Sequence, residues 1–192
     1  LTLKKKVDEG GKVTMVTSYD YTMAALVEEA GIDMILVGDS LGMTMMGYDS
    51  TLPVTMDDMV HHTRCVTRAC NDTFVVGDMP FGSYQTDIPT AVANAARLMK
   101  EGRCQAVKLE GGVTVCEQIR AMTQAGIPVV GHIGLTPQSV NSFGGFKVQG
   151  KSVEAAKQLV EDALAIEAVG AFSIVLECVP ADLATYVTEQ LS

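Results

Sequence analysis

The sequence has no closely spaced cysteines and no long apolar run, and each absence excludes a class of protein. The five cysteines are scattered and include no C-x-x-C pair, so neither a disulfide framework nor a zinc site is expected. No apolar run approaches the roughly 20 residues that a membrane-spanning helix requires. The N-terminal stretch LTLKKKVDEGGK has no apolar segment after its lysines, so no signal peptide is expected. These absences favour a cytoplasmic protein, or an organellar one if a leader was removed ahead of Leu1.

Positive charge is scarce as well. The chain has 14 Lys and Arg against 23 Asp and Glu, which gives a net charge of −9 and a pI near 4.7. Because this negative field repels phosphate groups, neither nucleic acid nor a membrane surface is expected as a partner. With 192 residues, of which 47 % are hydrophobic, the chain is predicted to form one domain with its own core over residues 1–192.

The order of apolar and polar segments predicts an α/β fold. Four amphipathic stretches end at a glycine and lead into a short apolar run; the glycines are Gly31, Gly102, Gly126 and Gly170. Glycine commonly ends a helix because it adopts the left-handed conformation without steric cost. Runs that are apolar on both faces are typical of parallel strands covered by helices. Six strands are predicted, at about residues 13–20, 34–40, 73–80, 106–111, 128–134 and 172–179.

Polar residues at the ends of these strands favour a barrel over a doubly wound sheet. They are Asp20, Asp39, Ser40, Asp78, Glu110, His132 and Glu177. A (β/α)8 TIM barrel gathers its strand ends around one mouth, and no G-x-G-x-x-G dinucleotide fingerprint follows the first strand. Since eight units need about 250 residues, the six units predict an incomplete barrel without its C-terminal units. Two long segments, 41–55 and 135–151, are candidate lids at the mouth.

Three of these residues form the first candidate site. Asp39, Asp78 and Glu110 end strands two, three and four, and neighbouring parallel strands lie about 5 Å apart. Their carboxylates can therefore converge on one ion, and a set of oxygen ligands suits Mg²⁺ or Mn²⁺ better than zinc. The alternative is that each carboxylate caps a helix or faces water by itself.

Lys108, His132 and Glu177 complete the candidates. Lys108 lies two residues before Glu110, so both side chains are expected on the same face of the strand, here the barrel interior. A lysine there requires an anion, either Glu110 or a substrate carboxylate. Glu177 lies among apolar residues, and burial is expected to raise its pKa and suit it to acid–base chemistry, unless it caps the next helix. His132 is either a hydrogen-bonding core residue or a substrate contact.

Six blocks of sequence resemble one known family. In order they are LVGDSLGM, GYDSTLPVT, DMPFGSY, VKLEGG, GHIGLTPQSVNSFGGFKVQG and LECVP. Together they are similar to the ketopantoate hydroxymethyltransferase family from about Lys12 to Ser192, and the longest block is close to diagnostic. The resemblance implies a (β/α)8 barrel of the phosphoenolpyruvate/pyruvate superfamily. It also implies transfer of a hydroxymethyl group from 5,10-methylenetetrahydrofolate to 3-methyl-2-oxobutanoate, giving 2-dehydropantoate in pantothenate biosynthesis.

The resemblance further implies roles for the candidate residues. Asp39, Asp78 and Glu110 would hold Mg²⁺, which would stabilise the enolate of the 2-oxo acid. The residues that would bind this acid are Asp39, Ser40, Asp78 and Lys108, with His132 added for its position at a strand end. Glu177 would be the base that removes the proton from C3 of the substrate. The family also implies a large homo-oligomer, a decamer.

Two other functions fit the same residues. Another Mg²⁺-dependent C–C lyase or mutase of the superfamily would act on a 2-oxo acid through the same site. The remaining alternative is a non-catalytic binding barrel, although such a protein has no physical need for three converging carboxylates. Because the C-terminal units are expected to be missing, the 192-residue chain is also expected to be weakly active and poorly stable.

Overall fold

A computed structural model of the chain describes residues 2–143, 145 and 147–192, without the side chains of residues 2, 142 and 143. Its strands are β1 (Met15–Thr17), β2 (Met34–Val37), β3 (Phe74–Asp78), β4 (Ala106–Glu110), β5 (Val129–Gly134) and β6 (Ser173–Glu177). Its helices are α1 (Thr2–Asp8), α2 (Tyr21–Glu29), α3 (Leu41–Thr44), α4 (Met56–Thr67), α5 (Ile88–Arg97), α6 (Cys116–Gln124), α7 (Val140–Phe143), α8 (Val153–Ala168) and α9 (Ala181–Gln190).

The six strands form a parallel sheet in the order β1-β2-β3-β4-β5-β6. Each strand therefore pairs with the next strand along the chain, which is the order of a (β/α) barrel. The sheet curls into a half-barrel, and this confirms the predicted incomplete α/β barrel of about six units. Strand β1 is shorter than the predicted 13–20, because its neighbour in the described part of the chain is β2 alone.

Apolar side chains pack on both faces of the sheet. The outer cluster joins the strands to the helices and includes Ile35, Val75, Val107 and Val129. The inner cluster lies within the curl of the sheet and consists of Met34, Val76, Ala106 and Val130. Each fully buried Val, Ile or Met side chain of these clusters stabilises the fold by about 1.5–3 kcal/mol. Both clusters follow from the alternation of side chains along a strand, which sends neighbouring residues to opposite faces.

The same alternation positions the polar residues at the strand ends. Asp78 comes two residues after Val76 of the inner cluster, and Lys108 comes two residues after Ala106. Residues two apart in a strand share a face, so these charged side chains lie directly above the apolar interior of the half-barrel. At the other end of the inner cluster, Leu3 of α1 packs against it. Within the curl, the side chains are therefore apolar in the inner cluster and charged at the carboxyl ends of the strands.

Three of the four predicted glycine stops are confirmed. Those with left-handed backbone are Gly31 (φ +72°), Gly126 (φ +82°) and Gly170 (φ +99°). The prediction for Gly102 is wrong, because the chain forms a π-helical turn over Leu98–Gly102 and the left-handed residue is Arg103. A Cβ at position 102 would lie 3.0 Å from a methyl carbon of Thr63. A side chain at position 102 would therefore require Thr63 of α4 to shift slightly.

The two candidate lids are partly helical. Segment 41–55 contains α3, and segment 135–151 contains a 3₁₀ turn over Pro137–Ser139 followed by α7. Residues 144 and 146 of the second segment lie outside the described residues. Movement of either segment stays a prediction. Within the described ranges, none of the helices combines the length and hydropathy needed to cross a bilayer.

Candidate active site

The register of the sheet brings the predicted site residues together at the charged end. Asp78 of β3 is paired with Lys108 of β4, and Glu110 of β4 is paired with His132 of β5. Glu177 ends β6 beside Gly134 of β5. A side chain on Gly134, which has a φ of +91°, would collide with the carbonyl oxygen of Glu177, so glycine permits the close approach of these two strand ends.

Lys108 is the cation at the centre of this group. Its Nζ lies 2.9 and 2.8 Å from the two carboxylate oxygens of Asp78 and 3.5 Å from Oε1 of Glu110. Burial by itself would lower the pKa of Lys108, but the charges of Asp78 and Glu110 outweigh it and raise the pKa. Lys108 and Glu110 therefore share the interior face, as predicted, and Lys108 is an ammonium at neutral pH.

The buried carboxylates outnumber this single cation. Asp39 is 3 % exposed, and its backbone N–H donates to Oδ2 of Asp78 at 3.1 Å. Burial, together with the charge of Asp78, raises the pKa of Asp39 to about 7. Burial also raises the pKa of Glu110 to about 7, although Lys108 opposes the shift. Among the residues that the structure describes, Lys108 is the only buried Lys or Arg facing these carboxylates.

The three carboxylates do not form a ready-made metal cage. Residues 2–143, 145 and 147–192 contain no group of three or more His, Cys, Asp or Glu side chains placed to hold a metal ion. Lys108 bridges Asp78 and Glu110 instead. A shared ion at Asp39, Asp78 and Glu110 therefore stays a prediction.

Gln138 is a member of the site that sequence reasoning missed. It lies in the 3₁₀ turn after β5, is 5 % exposed, and its Nε2 donates to Oδ2 of Asp39 at 2.9 Å. Its backbone N–H donates to Oε2 of Glu110 at 3.0 Å. Its Oε1 accepts from the hydroxyl of Tyr84 at 2.7 Å. The available signal was its place in the longest matched block, because glutamine itself indicates no particular chemistry.

His132 lies between two glutamates. Its Nε2 lies 3.2 Å from Oε2 of Glu177, and its Nδ1 lies 3.5 Å from Oε1 of Glu110. Neither ring nitrogen has a partner of good hydrogen-bond geometry among the described residues, and the imidazole is 2 % exposed. Burial lowers the pKa of His132, so the ring is neutral and carries a single N–H. The predicted position of His132 at the mouth is correct, and its ring nitrogens face Glu110 and Glu177.

The environment of Glu177 differs from the prediction. The expected rise in its pKa is wrong: His132 beside the carboxylate lowers the pKa, outweighing a partial burial that opposes the shift. Its side chain is 38 % exposed, because β6 pairs only with β5 within the described residues. The alternative that Glu177 caps the next helix is also wrong, since α9 begins at Ala181 and its N-cap is Pro180. Glu177 is thus an ionised, accessible carboxylate beside a buried imidazole.

Ser40 lies at the edge of the group. Its Oγ is 2.8 Å from the hydroxyl of Tyr19, and the carbonyl oxygen of Tyr19 lies 2.7 Å from Nδ1 of His62. Contacts from α4 and from the segment after β1 therefore fix the hydroxyl group of Ser40 just before α3. The role of Ser40 toward a substrate stays a prediction.

A parallel half-barrel with a buried lysine and carboxylates at the carboxyl ends of its strands is the architecture of an α/β-barrel enzyme. Phosphonopyruvate hydrolase, solved in complex with oxalate and Mg²⁺, superposes with a TM-score of 0.72 at 14 % identity, covering 97 % of this chain and 66 % of that one. 2,3-Dimethylmalate lyase, described as a phosphoenolpyruvate mutase/isocitrate lyase superfamily member, gives a TM-score of 0.70 at 17 % identity and covers 100 % and 66 %. At these identities the likeness establishes the fold alone.

Sequence comparison identifies the family. The model of the ketopantoate hydroxymethyltransferase family matches residues 1–192, and the chain belongs to this family. The chain is 61 % identical over 191 residues to the 3-methyl-2-oxobutanoate hydroxymethyltransferase of Clostridium novyi. It is 58 % identical over 192 residues to the enzyme of that name from Enterococcus faecalis. Both alignments cover 100 % of this chain and 70 % of the relative, so the chain spans about 70 % of the length of these curated relatives.

Proposed function

We propose that the protein transfers a hydroxymethyl group from 5,10-methylenetetrahydrofolate to 3-methyl-2-oxobutanoate, giving 2-dehydropantoate for pantothenate biosynthesis. The observation that carries this proposal is the buried ammonium of Lys108 among Asp39, Asp78 and Glu110 at the mouth of a barrel of this family. A 2-oxo acid offers a carboxylate and a ketone to such a site. It therefore matches both the cation and a metal held by the surrounding oxygen atoms.

The donor set fits Mg²⁺. Asp39, Asp78 and Glu110 supply oxygen atoms only, and three buried carboxylates face a single ammonium, so the site favours an additional cation. Mg²⁺ is commonly held by one or two carboxylates, water and substrate oxygens, and it does not need a closed cage of protein ligands. These three residues would hold the ion. When bound, it would polarise the ketone and stabilise the negative charge that develops on proton removal.

Lys108 and Ser40 are proposed to orient the substrate. A buried ammonium attracts a carboxylate strongly, because few water molecules screen the interaction there. Lys108 is held in place by Asp78, so its ammonium group is already positioned before a substrate binds. The hydroxyl of Ser40, fixed by Tyr19, supplies a donor and an acceptor at the same mouth.

Glu177 is proposed to take the proton from C3 of the substrate. Its lowered pKa keeps it ionised at neutral pH, which is the form that a base requires. The exposed part of its side chain is free to contact a substrate, while the neutral ring of His132 lies 3.2 Å away and limits its movement. His132 is proposed to contact the substrate as well, since both its ring nitrogens need partners. The resulting carbanion would attack the methylene carbon of the folate. The bonds from this carbon to the folate nitrogens would break, water would supply the hydroxyl group of 2-dehydropantoate, and tetrahydrofolate would leave.

Deuterium exchange separates this proposal from its rivals. The protein is incubated with 3-methyl-2-oxobutanoate in D₂O, with and without Mg²⁺, and exchange at C3 is followed by NMR. Methylenetetrahydrofolate labelled at the methylene carbon is then added, and label is expected in 2-dehydropantoate. Mg²⁺-dependent exchange without transfer of label would indicate a different 2-oxo-acid reaction of the superfamily. Substrate binding that is independent of Mg²⁺, without exchange, would indicate a non-catalytic barrel.

The assembly is part of the same proposal. We infer from the family resemblance that the protein is a cytoplasmic homo-oligomer, a decamer of the 20.4 kDa chain. Size-exclusion chromatography with light scattering measures the mass directly. A monomer at micromolar concentration would contradict the proposed assembly, whereas the proposed reaction is tested separately by exchange and transfer.

A further inference from the structure

We propose that Gln138 is a positioning residue that orients Asp39 and Glu110 and so sets the affinity of the site for its divalent cation. The inference rests on the proposed function only in taking these carboxylates as cation ligands. It assigns to the turn after β5 a role in building the cation site, through a residue that would itself touch neither the ion nor the reacting atoms.

The side chain of Gln138 joins segments that are far apart in the sequence. Its Nε2 donates to Oδ2 of Asp39 and to the carbonyl oxygen of Met79, both at 2.9 Å. The backbone N–H of the same residue donates to Oε2 of Glu110 at 3.0 Å. One residue therefore connects the ends of β2, β3 and β4 with the turn that follows β5.

The orientation of the amide is fixed by its other contacts. Tyr84 accepts from the backbone N–H of Glu110 at 3.1 Å. Its own proton has two acceptors within reach, and Oε1 of Gln138 at 2.7 Å is nearer than the carbonyl oxygen of Glu110 at 3.1 Å. The Nε2 group of Gln85 also donates to this oxygen, at 3.2 Å. Because both groups are donors, Oε1 must face them and the NH₂ group must face Asp39. Both N–H groups and both lone pairs of the amide are then used, which is the full bonding capacity of glutamine.

These bonds restrain one oxygen of each carboxylate. Oδ2 of Asp39 and Oε2 of Glu110 accept from Gln138, whereas Oε1 of Glu110 lies toward Lys108 and Oδ1 of Asp39 is left for a cation. A carboxylate held in this way loses less rotational freedom when it binds a metal. Hydrogen bonds to metal ligands typically account for a 10- to 100-fold change in affinity, on the order expected here.

The test measures cation binding without turnover. Mn²⁺, which is visible by electron paramagnetic resonance, is titrated into the protein and into Gln138→Met. This variant keeps the length of the side chain and removes its hydrogen bonds, including the one to Asp39, but leaves the backbone bond to Glu110 in place. We expect the dissociation constant for Mn²⁺ to rise about tenfold or more. The matched control is Gln105→Met, because the side chain of Gln105 also bonds to the backbone, accepting from the N–H of Val75 at 2.9 Å, but lies at the other end of the sheet. Its Mn²⁺ affinity is expected to stay within about twofold of the unsubstituted protein.

Each outcome decides the matter. Folded Gln138→Met that binds Mn²⁺ like the unsubstituted protein would overturn the proposal and leave Gln138 a packing residue. If Gln138→Met loses its near-ultraviolet circular dichroism, Tyr84→Phe decides instead, since it removes the hydroxyl that orients the amide; unchanged Mn²⁺ affinity there overturns the proposal as well. Absence of Mn²⁺ binding by the unsubstituted protein would also overturn it. Mn²⁺ binding without C3 exchange would contradict the proposed reaction while leaving the role of Gln138 intact.

Discussion

His132 and Glu177 lie on neighbouring strands, with Nε2 of the imidazole 3.2 Å from Oε2 of the carboxylate. The buried ring is neutral and the half-exposed carboxylate is ionised. In the proposed reaction the two residues have different tasks: the carboxylate takes the proton from carbon, and the ring limits the movement of the carboxylate.

Replacing the carboxylate tests its task as base. Glu177→Gln keeps the size of the side chain and is expected to bind Mn²⁺ normally, because Asp39, Asp78 and Glu110 are untouched. Exchange at C3 of 3-methyl-2-oxobutanoate is expected to fall by about 10²–10⁴-fold, the usual contribution of a general base. Glu189→Gln on the exposed side of α9 is the control. Exchange at the original rate in Glu177→Gln would remove Glu177 from the mechanism.

Asp78 is expected to affect both binding and chemistry. Asp78→Asn removes a charge from the buried pair with Lys108 and an oxygen ligand from the proposed cation site. Mn²⁺ affinity and C3 exchange are therefore both expected to fall, by about tenfold or more. Electron paramagnetic resonance and NMR measure the two effects, with Asp182→Asn as an exposed control. Loss of exchange with unchanged Mn²⁺ affinity would contradict a direct role of Asp78 at the ion.

Removing the buried ammonium of Lys108 is expected to destabilise the fold. Lys108→Met leaves Asp78, Glu110 and Asp39 buried without their counter-charge, and the free energy of unfolding is expected to fall by about 3–5 kcal/mol. Mg²⁺ is expected to restore part of this loss, because it supplies positive charge to the same carboxylates and binds only the folded chain. Urea unfolding with and without Mg²⁺ measures both effects. A loss equal to that of exposed Lys100→Met would show that the buried pair contributes little.

The lowered pKa of Glu28 can be tested through the pH dependence of stability. Its carboxylate accepts backbone N–H bonds from Asn71, Asp72 and Thr73 at 2.8, 3.0 and 3.0 Å. Burial would raise the pKa of Glu28, but these hydrogen bonds outweigh it and lower the pKa to about 2. The folded chain therefore binds this proton more weakly than the unfolded chain. The contribution of Glu28 to stability is complete above its ordinary pKa of 4.5 and is lost as the pH falls from there toward about 2.

Comparison of unfolding curves isolates this contribution. Glu28→Gln is expected to be less stable than the unsubstituted protein at about pH 6, by on the order of 1–3 kcal/mol, since the loop before β3 loses acceptors. The difference should shrink at about pH 3, where the carboxyl group of Glu28 has bound its proton in the unfolded chain but is still mostly ionised in the folded chain. The neighbouring Glu29→Gln is the control. A difference that does not change with pH would contradict the lowered pKa.

Much of the site could be predicted because alternation along a strand is local. Val76 and Asp78, like Ala106 and Lys108, are two residues apart in the sequence and hence on one face, so the strand ends identify the charged mouth without knowledge of the tertiary structure. Six apolar runs ending in polar residues were likewise sufficient to predict the half-barrel.

The features that escaped prediction depend on distant partners. Gln138 acquires its role from Asp39 and Tyr84, and no property of its own neighbours in the sequence indicates either contact. Gly102 ends a helical turn, as a stop glycine does, but its backbone is not left-handed. The contact that leaves little room for a side chain there is with Thr63 on α4. The pKa of Glu177 depends on how far the end of β6 is covered, which an apolar flanking sequence does not reveal.

The inner cluster beneath the charged group has a consequence for solvent. Met34, Val76, Ala106 and Val130 form a floor without polar side chains, and Leu3 lies against it. These four side chains offer no group that could carry a proton inward, so proton exchange with solvent is expected at the strand-end mouth, where Glu177 lies. Substitutions in this inner cluster are therefore expected to change the stability of the fold without changing the charge of the site above it.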